Sequence, residues 1–269
     1  MKKIYLFYCL LLGICSQSYS QETVLFANIS YIPATDTTWV FVPKDYASSG
    51  DKKYPAVVML HGWSGNYKQW HQIINCQRYA DAYGFVVICP DGFYDSWYLN
   101  APLKPNSQME DFMLKDLLPS IKQKYRINPN NLFITGLSMG GHGAFMLFAK
   151  KPDEFRAAGS TSGLFDLKFS GDKYGLTNLL GFPSQNSEIW FRASVLGNIE
   201  KIAKANKEIL FDCGTEDDFY VVNNELRRKC DELKIKATYV SQPGKHDKAY
   251  WKKSAKSQFE FFKRIADTP

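Results

Sequence analysis

The stretch Ile134-Thr135-Gly136-Leu137-Ser138-Met139-Gly140-Gly141-His142-Gly143-Ala144 decides how this chain is read. The apolar run Leu132 to Ile134 predicts a short buried strand, and Ala144 to Lys151 predicts a helix. Gly-Leu-Ser-Met-Gly joins them, which is the G-x-S-x-G nucleophile-elbow pattern in the strand–turn–helix setting it requires. A serine at such a turn has strained backbone angles and projects its Oγ clear of the sheet. Gly136 and Gly140 leave out the Cβ atoms that would strike the neighbouring strand or helix. The helix that follows points its free N–H groups at any negative charge developing near the serine. Gly141 permits close helix packing.

Outward from this turn, the chain predicts strands alternating with helices. Tyr54 to Leu60 and Phe85 to Cys89 are continuous apolar runs, as expected of strands in a sheet covered on both faces. Phe155 to Ser160, Glu208 to Asp212 and Lys236 to Val240 add further strands. Val24 to Ile32 and Thr38 to Val42 read as an opening antiparallel pair. Helices are predicted over Tyr67 to Tyr83, Gln108 to Tyr125 (with Pro119 as a kink), Tyr220 to Leu233, and at the end through Ile265. This alternation argues an α/β fold with a mostly parallel sheet and helices on both faces. The segment 164–206, between the sixth and seventh sheet strands, is long, with weak periodicity, and reads as a small cap over a site.

At 269 residues with 45% hydrophobic and 22% charged residues, the composition is that of an ordinary globular chain, and one domain can absorb the length. Residues 1–20 read as a signal peptide: Lys2 and Lys3, an apolar core from Ile4 to Cys15, and Ser18-Tyr19-Ser20 before a cleavage site at Gln21. The mature domain is then 21–269, exported, with no further stretch of membrane-spanning length. Lipid anchoring through Cys15 is disfavoured because Ile14 is bulky where a small residue is required. The leader carries two lysines and no acid, so the formal charge of +6 falls to +4. The basic residues are scattered over predicted helix edges, which argues against nucleic acid as a partner. Cys76, Cys89, Cys213 and Cys230 remain in the mature chain; export permits disulfides, their spacing matches no zinc pattern, and no bridge is assigned.

A serine nucleophile needs an imidazole to take its proton and a buried acid to fix that imidazole. In the order Ser, acid, His, the residues Ser138, Asp217 and His246 each fall just past the carboxyl end of a predicted strand, where sites form in open α/β sheets. Of the four histidines, His71 and His142 fall on helices and His61 precedes a glycine turn, so His246 is the candidate base. Glu216, Asp217 and Asp218 are adjacent candidates for the acid, with Asp212 a rival inside the strand run. Asp247 reads as a helix cap. The backbone N–H groups of Trp63, after His61-Gly62, and of Met139 are the candidate oxyanion donors.

Together these residues resemble the esterase D branch of the α/β-hydrolases, which includes S-formylglutathione hydrolases, tributyrin-type esterases, and bacterial feruloyl and acetyl-xylan esterases. The resemblance runs from about Tyr54 to Trp251. It is carried by Gly136-Leu-Ser-Met-Gly-Gly-His-Gly-Ala144, by Gly214-Thr-Glu-Asp217 with Phe219, and by Gly244-Lys-His-Asp247 with Trp251. Pro90-Asp-Gly92 with Trp97-Tyr98, and Tyr125-Arg126, also fit. His142 stands where that branch usually has an aromatic residue. The resemblance selects Asp217 as the acid.

It implies a serine carboxylic-ester hydrolase that forms an acyl-enzyme and needs no metal or cofactor, and the leader makes it a secreted one. Export and the aromatic residues Trp63, Trp97, Tyr98, Trp190, Phe191 and Tyr250 point to feruloyl or acetyl esters of plant polysaccharides, with Trp97, Tyr98 and Trp190 as candidate substrate-binding residues. Two other readings use the same features: transfer of the acyl group to a sugar or lipid alcohol, as in the related mycolyltransferases, and a non-catalytic binding protein, which predicts a damaged triad.

Overall fold

The computed structural model describes residues 21–268, so the predicted leader and Cys15 lie outside the described residues. Eight strands form one sheet in the order β1-β2-β4-β3-β5-β6-β7-β8. These are β1 (Glu22–Phe26), β2 (Asp36–Phe41), β3 (Tyr54–Leu60), β4 (Val86–Cys89), β5 (Ile127–Gly136), β6 (Ala157–Thr161), β7 (Ile209–Gly214) and β8 (Ala237–Gln242). β1 and β2 are the antiparallel opening pair, β2 meets β4 antiparallel, and the strands from β4 to β8 run parallel. This is the expected α/β-hydrolase architecture.

The period of two along β3 divides the apolar interior. Ala56, Val58 and Leu60 join one core with Ile134, Phe145 and Phe148. Val57 and Met59 face the other core with Phe133, Phe259 and Phe262. The first face is covered by α5 (Met139–Lys150) and α9 (Tyr220–Glu232); the second by α1 (Gln69–Ile74), α2 (Cys76–Tyr83) and α10 (Lys248–Ala266). Because both faces are covered, the central strands are buried from end to end, which explains their unbroken apolar runs.

Two predicted helices are broken. The run Tyr67 to Tyr83 splits at Asn75, whose φ of 52° ends α1 while its side-chain oxygen caps α2 through the Arg78 N–H. Asparagine tolerates this left-handed geometry and supplies the cap itself. The run Gln108 to Tyr125 becomes α3 (Met109–Asp111), a π-helical turn over Phe112–Leu117, and α4 (Leu118–Lys124). Pro119 sits in the first turn of α4; its ring would strike the carbonyl four residues back, and the widened turn makes the room.

The segment 164–206 lies between β6 and β7 and folds into short pieces: a 3₁₀ turn (Leu167–Ser170), α6 (Leu176–Leu180), α7 (Ser187–Ala193) and α8 (Ile199–Ala205). The four described cysteines are unbridged, although the Cys76 and Cys89 sulfurs approach to 3.8 Å. Among the described residues no helix is long and apolar enough to cross a membrane.

Candidate active site

Ser138 sits between β5 and α5 with φ 53° and ψ −116°, a conformation that costs about 1–3 kcal/mol for a residue with a side chain. Its surroundings hold it there. Its N–H donates to Thr161 O at 2.9 Å, and Leu137 N–H donates to Leu60 O at 3.2 Å. A Cβ on Gly136 would strike the Gly140 carbonyl, and one on Gly140 would strike the carbonyls of Leu60 and His61. The turn is therefore as tight as the sequence pattern demands.

Three strand ends converge here. His246 Nε2 lies 3.0 Å from Ser138 Oγ, and His246 Nδ1 lies 3.0 and 2.9 Å from the two carboxylate oxygens of Asp217. The Asp217 side chain is fully shielded from solvent, while the His246 ring is about a quarter exposed. Asp217 Oδ1 also accepts from the Phe219 N–H at 2.8 Å, which fixes the carboxylate in its turn. With a carboxylate on Nδ1, that nitrogen carries the proton and Nε2 is left as the acceptor for the serine hydroxyl. The imidazole is clamped edge-on between Phe219, at 4.9 Å, and Trp251, at 5.1 Å; the Trp251 indole N–H donates to Ser162 Oγ at 3.2 Å.

The rival acids face elsewhere. Glu216 pairs with Lys245 at the surface and Asp218 is exposed. Asp212 is buried beneath the site, where it accepts from Thr161, Ser254 and Gln258, and burial raises its pKa. Asp247 caps α10 through the Tyr250 N–H. His61 is a turn residue: Nε2 accepts from the Gly92 N–H at 2.7 Å, so Nδ1 carries the proton and donates to Gly62 O at 2.8 Å.

Trp63 N–H and Met139 N–H donate to no protein acceptor among the described residues. They flank the serine from the β3 turn and from the start of α5, so two free donors border the nucleophile position. A cavity of about 140 Å³ opens at Ser138, lined by Gly62, Trp63, Gln69, Trp97, Leu137, Tyr174, Phe219, His246 and Trp251.

The predicted aromatic rim is largely corrected. Trp63 and Trp97 line the cavity, but Tyr98 and Trp190 do not. The Tyr98 ring is packed over Gly92 and Gly143, with its hydroxyl donating to His61 O, because those two glycines leave room for it. Trp190 is buried in the 164–206 segment and donates to Gly181 O at 2.9 Å. Tyr250 is buried against Gly244, and Phe191, though exposed, borders a different groove. In their place come Tyr174, Phe219 and Trp251. Phe219 and Trp251 were within reach of sequence reasoning, two residues after Asp217 and five after His246. Tyr174 sits in a weakly patterned stretch with no such signal.

This sheet, with a serine on a strained strand–helix turn facing a histidine and a buried carboxylate, defines the α/β-hydrolase class. The family model for Esterase matches residues 30–261, and the chain belongs to that family. Among curated relatives it is similar to the S-formylglutathione hydrolase of Mus musculus, 27% identical over 237 residues, which span 79% of this chain and 82% of the mouse protein. Among solved structures it is similar to FphF, a fluorophosphonate-binding serine hydrolase of Staphylococcus aureus. That match has a TM-score of 0.79 at 20% identity, covering 91% of this chain and 98% of the other. A ferulic acid esterase follows with a TM-score of 0.75 at 21% identity, covering 92% and 99%.

Proposed function

We propose that this esterase is an exported serine carboxylic-ester hydrolase acting through an acyl-enzyme on feruloyl or acetyl esters of plant polysaccharides. The observation that carries the mechanism is the Ser138–His246–Asp217 relay, with contacts of 3.0 and 2.9 Å. Ser138 Oγ attacks the ester carbonyl as His246 Nε2 takes its proton, and Asp217 steadies the imidazolium that results. The tetrahedral oxyanion is held by the N–H groups of Trp63 and Met139, each lowering the barrier by about 3 kcal/mol. His246 then protonates the departing alcohol. Water, deprotonated by the same nitrogen, attacks the acyl-enzyme and frees Ser138 with release of the acid.

The cavity and the rings around it support this substrate class. Among the residues lining the cavity, His246 and the Tyr174 phenol are the titratable side chains and none is a carboxylate, lysine or arginine, so it suits an uncharged acyl group. Around it the rings form a continuous arc: Tyr94 meets Trp63 at 5.0 Å, Trp63 meets Tyr174 at 5.5 Å, Tyr174 meets Phe219 at 6.2 Å, and Phe219 meets Phe169 at 6.5 Å. The end members Tyr94 and Phe169 are exposed, and such rings stack on a cinnamoyl group or a sugar face. In this reading residues 1–20 direct export, 21–269 are one domain, and 164–206 cap the site through Tyr174. An ester panel tests it: methyl ferulate, an acetylated sugar, a short alkyl ester and S-formylglutathione, the last because of the mouse relative's name, on wild type and Ser138→Ala. Preferred turnover of the first two, lost in the variant, supports the assignment. Rates on methyl ferulate and acetyl sugar no better than on the alkyl ester refute the substrate class. No phosphonate adduct at Ser138 in the folded protein refutes the nucleophile.

A further inference from the structure

The geometry points to Gln69 as a positioning residue for the oxyanion hole, an inference that rests on reading the Trp63 N–H as one of its donors. The Trp63 N–H shares a peptide plane with the Gly62 carbonyl. In a trans peptide the two point in opposite directions, so whatever fixes the Gly62 oxygen aims the Trp63 N–H. That oxygen takes two hydrogen bonds, from His61 Nδ1–H at 2.8 Å and from the Gly65 N–H at 3.0 Å. The other side of Gly62 is held by a side chain: the Gly62 N–H donates to Gln69 Oε1 at 2.7 Å. Gly62 is thus gripped at both its nitrogen and its oxygen, and among the described residues Gln69 is the one grip that comes from outside the turn.

Gln69 is the first residue of α1, and its backbone N–H donates to Asn66 O at 3.0 Å, so the helix start fixes where its side chain begins. Gly65 makes the room, since a Cβ there would come within 2.9 Å of the Gln69 amide carbon and oxygen. The same side chain lines the cavity at Ser138. Its chemistry fits the position. A neutral amide oxygen accepts the Gly62 N–H, whereas a carboxylate would accept it as well but set a negative charge beside the oxyanion. An aliphatic side chain would leave the Gly62 nitrogen without its partner.

Two variants separate positioning from mere packing. Gln69→Ala removes the grip. Its kcat on the preferred ester should fall about 10- to 100-fold at every pH with KM within about twofold, less than the loss of an oxyanion donor itself. Gln69→Glu keeps the acceptor and adds a titratable charge. Its kcat should approach wild type at low pH and fall progressively below it as the carboxylate ionises, a profile that a packing role does not produce. Thermal melts accompany both, and if Gln69→Ala does not fold, the pH profile of Gln69→Glu decides alone. A Gln69→Ala kcat within twofold of wild type, a loss confined to KM, or a pH-independent Gln69→Glu ratio overturns the inference while Ser138 still takes the phosphonate label. Absence of that label in wild type instead overturns the nucleophile reading on which it stands.

Discussion

Asp36, at the start of β2, has no solvent exposure and no cationic partner among the described residues, and replacing it with asparagine should change how stability depends on pH. Its Oδ1 accepts from the Thr38 hydroxyl at 2.7 Å, while Oδ2 is buried with no partner. Burial raises its pKa from 3.8 to about 8, and the nearby charge of Asp91 pushes the same way. The folded chain therefore keeps a proton that the unfolded chain releases near pH 4. Between those values the native state binds more protons, so stability falls as pH rises, by about 1.4 kcal/mol per unit. The full difference is about 6 kcal/mol, of which about 4 kcal/mol falls between pH 5 and 8. An asparagine side chain here would be neutral throughout, keeping the oxygen that faces Thr38 and placing an amide N–H₂ at the orphaned position, at a pH-independent cost of about 1–3 kcal/mol. Asp36→Asn should thus be no more stable than wild type at pH 4 and clearly more stable at pH 8.5. Urea unfolding at several pH values reads this as a difference that grows with pH. A difference that changes by less than about 1 kcal/mol between pH 5 and 8 would show that Asp36 is ionised in the fold and refute the argument.

Three further outcomes follow from the same geometry. His142 is fully buried on α5, with its Nε2 on Ala193 O at 2.8 Å, and burial lowers its pKa to about 4; its contribution is complete above pH 6.5 and is lost as pH falls toward 4, by about 3 kcal/mol, so His142→Gln should flatten the acid limb of the same urea series. Asp217→Asn should preserve the fold and the phosphonate site yet lower kcat by about 10⁴, because an amide facing Nδ1 no longer enforces the productive tautomer; a loss under tenfold would remove Asp217 from the relay. Gly140→Ala drives a methyl into the carbonyls of Leu60 and His61, neither of which is a flexible side chain, and should cost about 3 kcal/mol or more, read as a fall in Tm together with loss of activity.

The architecture was legible because covering a sheet on both faces leaves a mark on every strand. The runs at Tyr54–Leu60 and Val86–Cys89 are apolar without alternation for that reason, and the elbow between β5 and α5 is written in glycines that backbone packing makes obligatory. Helix continuity was less legible. Asn75 is compatible with a helix in propensity terms, and only its double role as left-handed stop and next cap shows that the chain turns there. The aromatic rim was least legible. Tyr98 looks like its neighbour Trp97 in sequence, and what separates them is the socket that Gly92 and Gly143 open in the core for the Tyr98 ring; Trp190 is instead buried within the 164–206 segment, with its indole N–H on Gly181 O.

The two aspartates at the end of β7 show why the carboxylate that meets His246 could not be read from spacing alone. Asp212 and Asp217 are five residues apart, and both are buried. Asp212 still lies within the strand, so its side chain points across the sheet into α10, where Ser254 and Gln258 donate to it together with Thr161. Those neutral donors stabilise the carboxylate less than burial destabilises it, which is why its pKa is raised. Asp217 lies beyond the strand, in a turn whose N–H groups bond back to Gly214 O and Gly244 O, and that pairing brings the His246 loop against it. Gly214 and Gly244 pack backbone to backbone there, so closely that a Cβ on Gly214 would strike the Gly244 carbonyl. The choice between the two acids is therefore made by the contact between two glycines 30 positions apart, Gly214 at the end of β7 and Gly244 in the His246 loop. A side chain at Gly214 should push the His246 loop away from Asp217 and lower kcat while Asp212 and its network under the sheet stay intact.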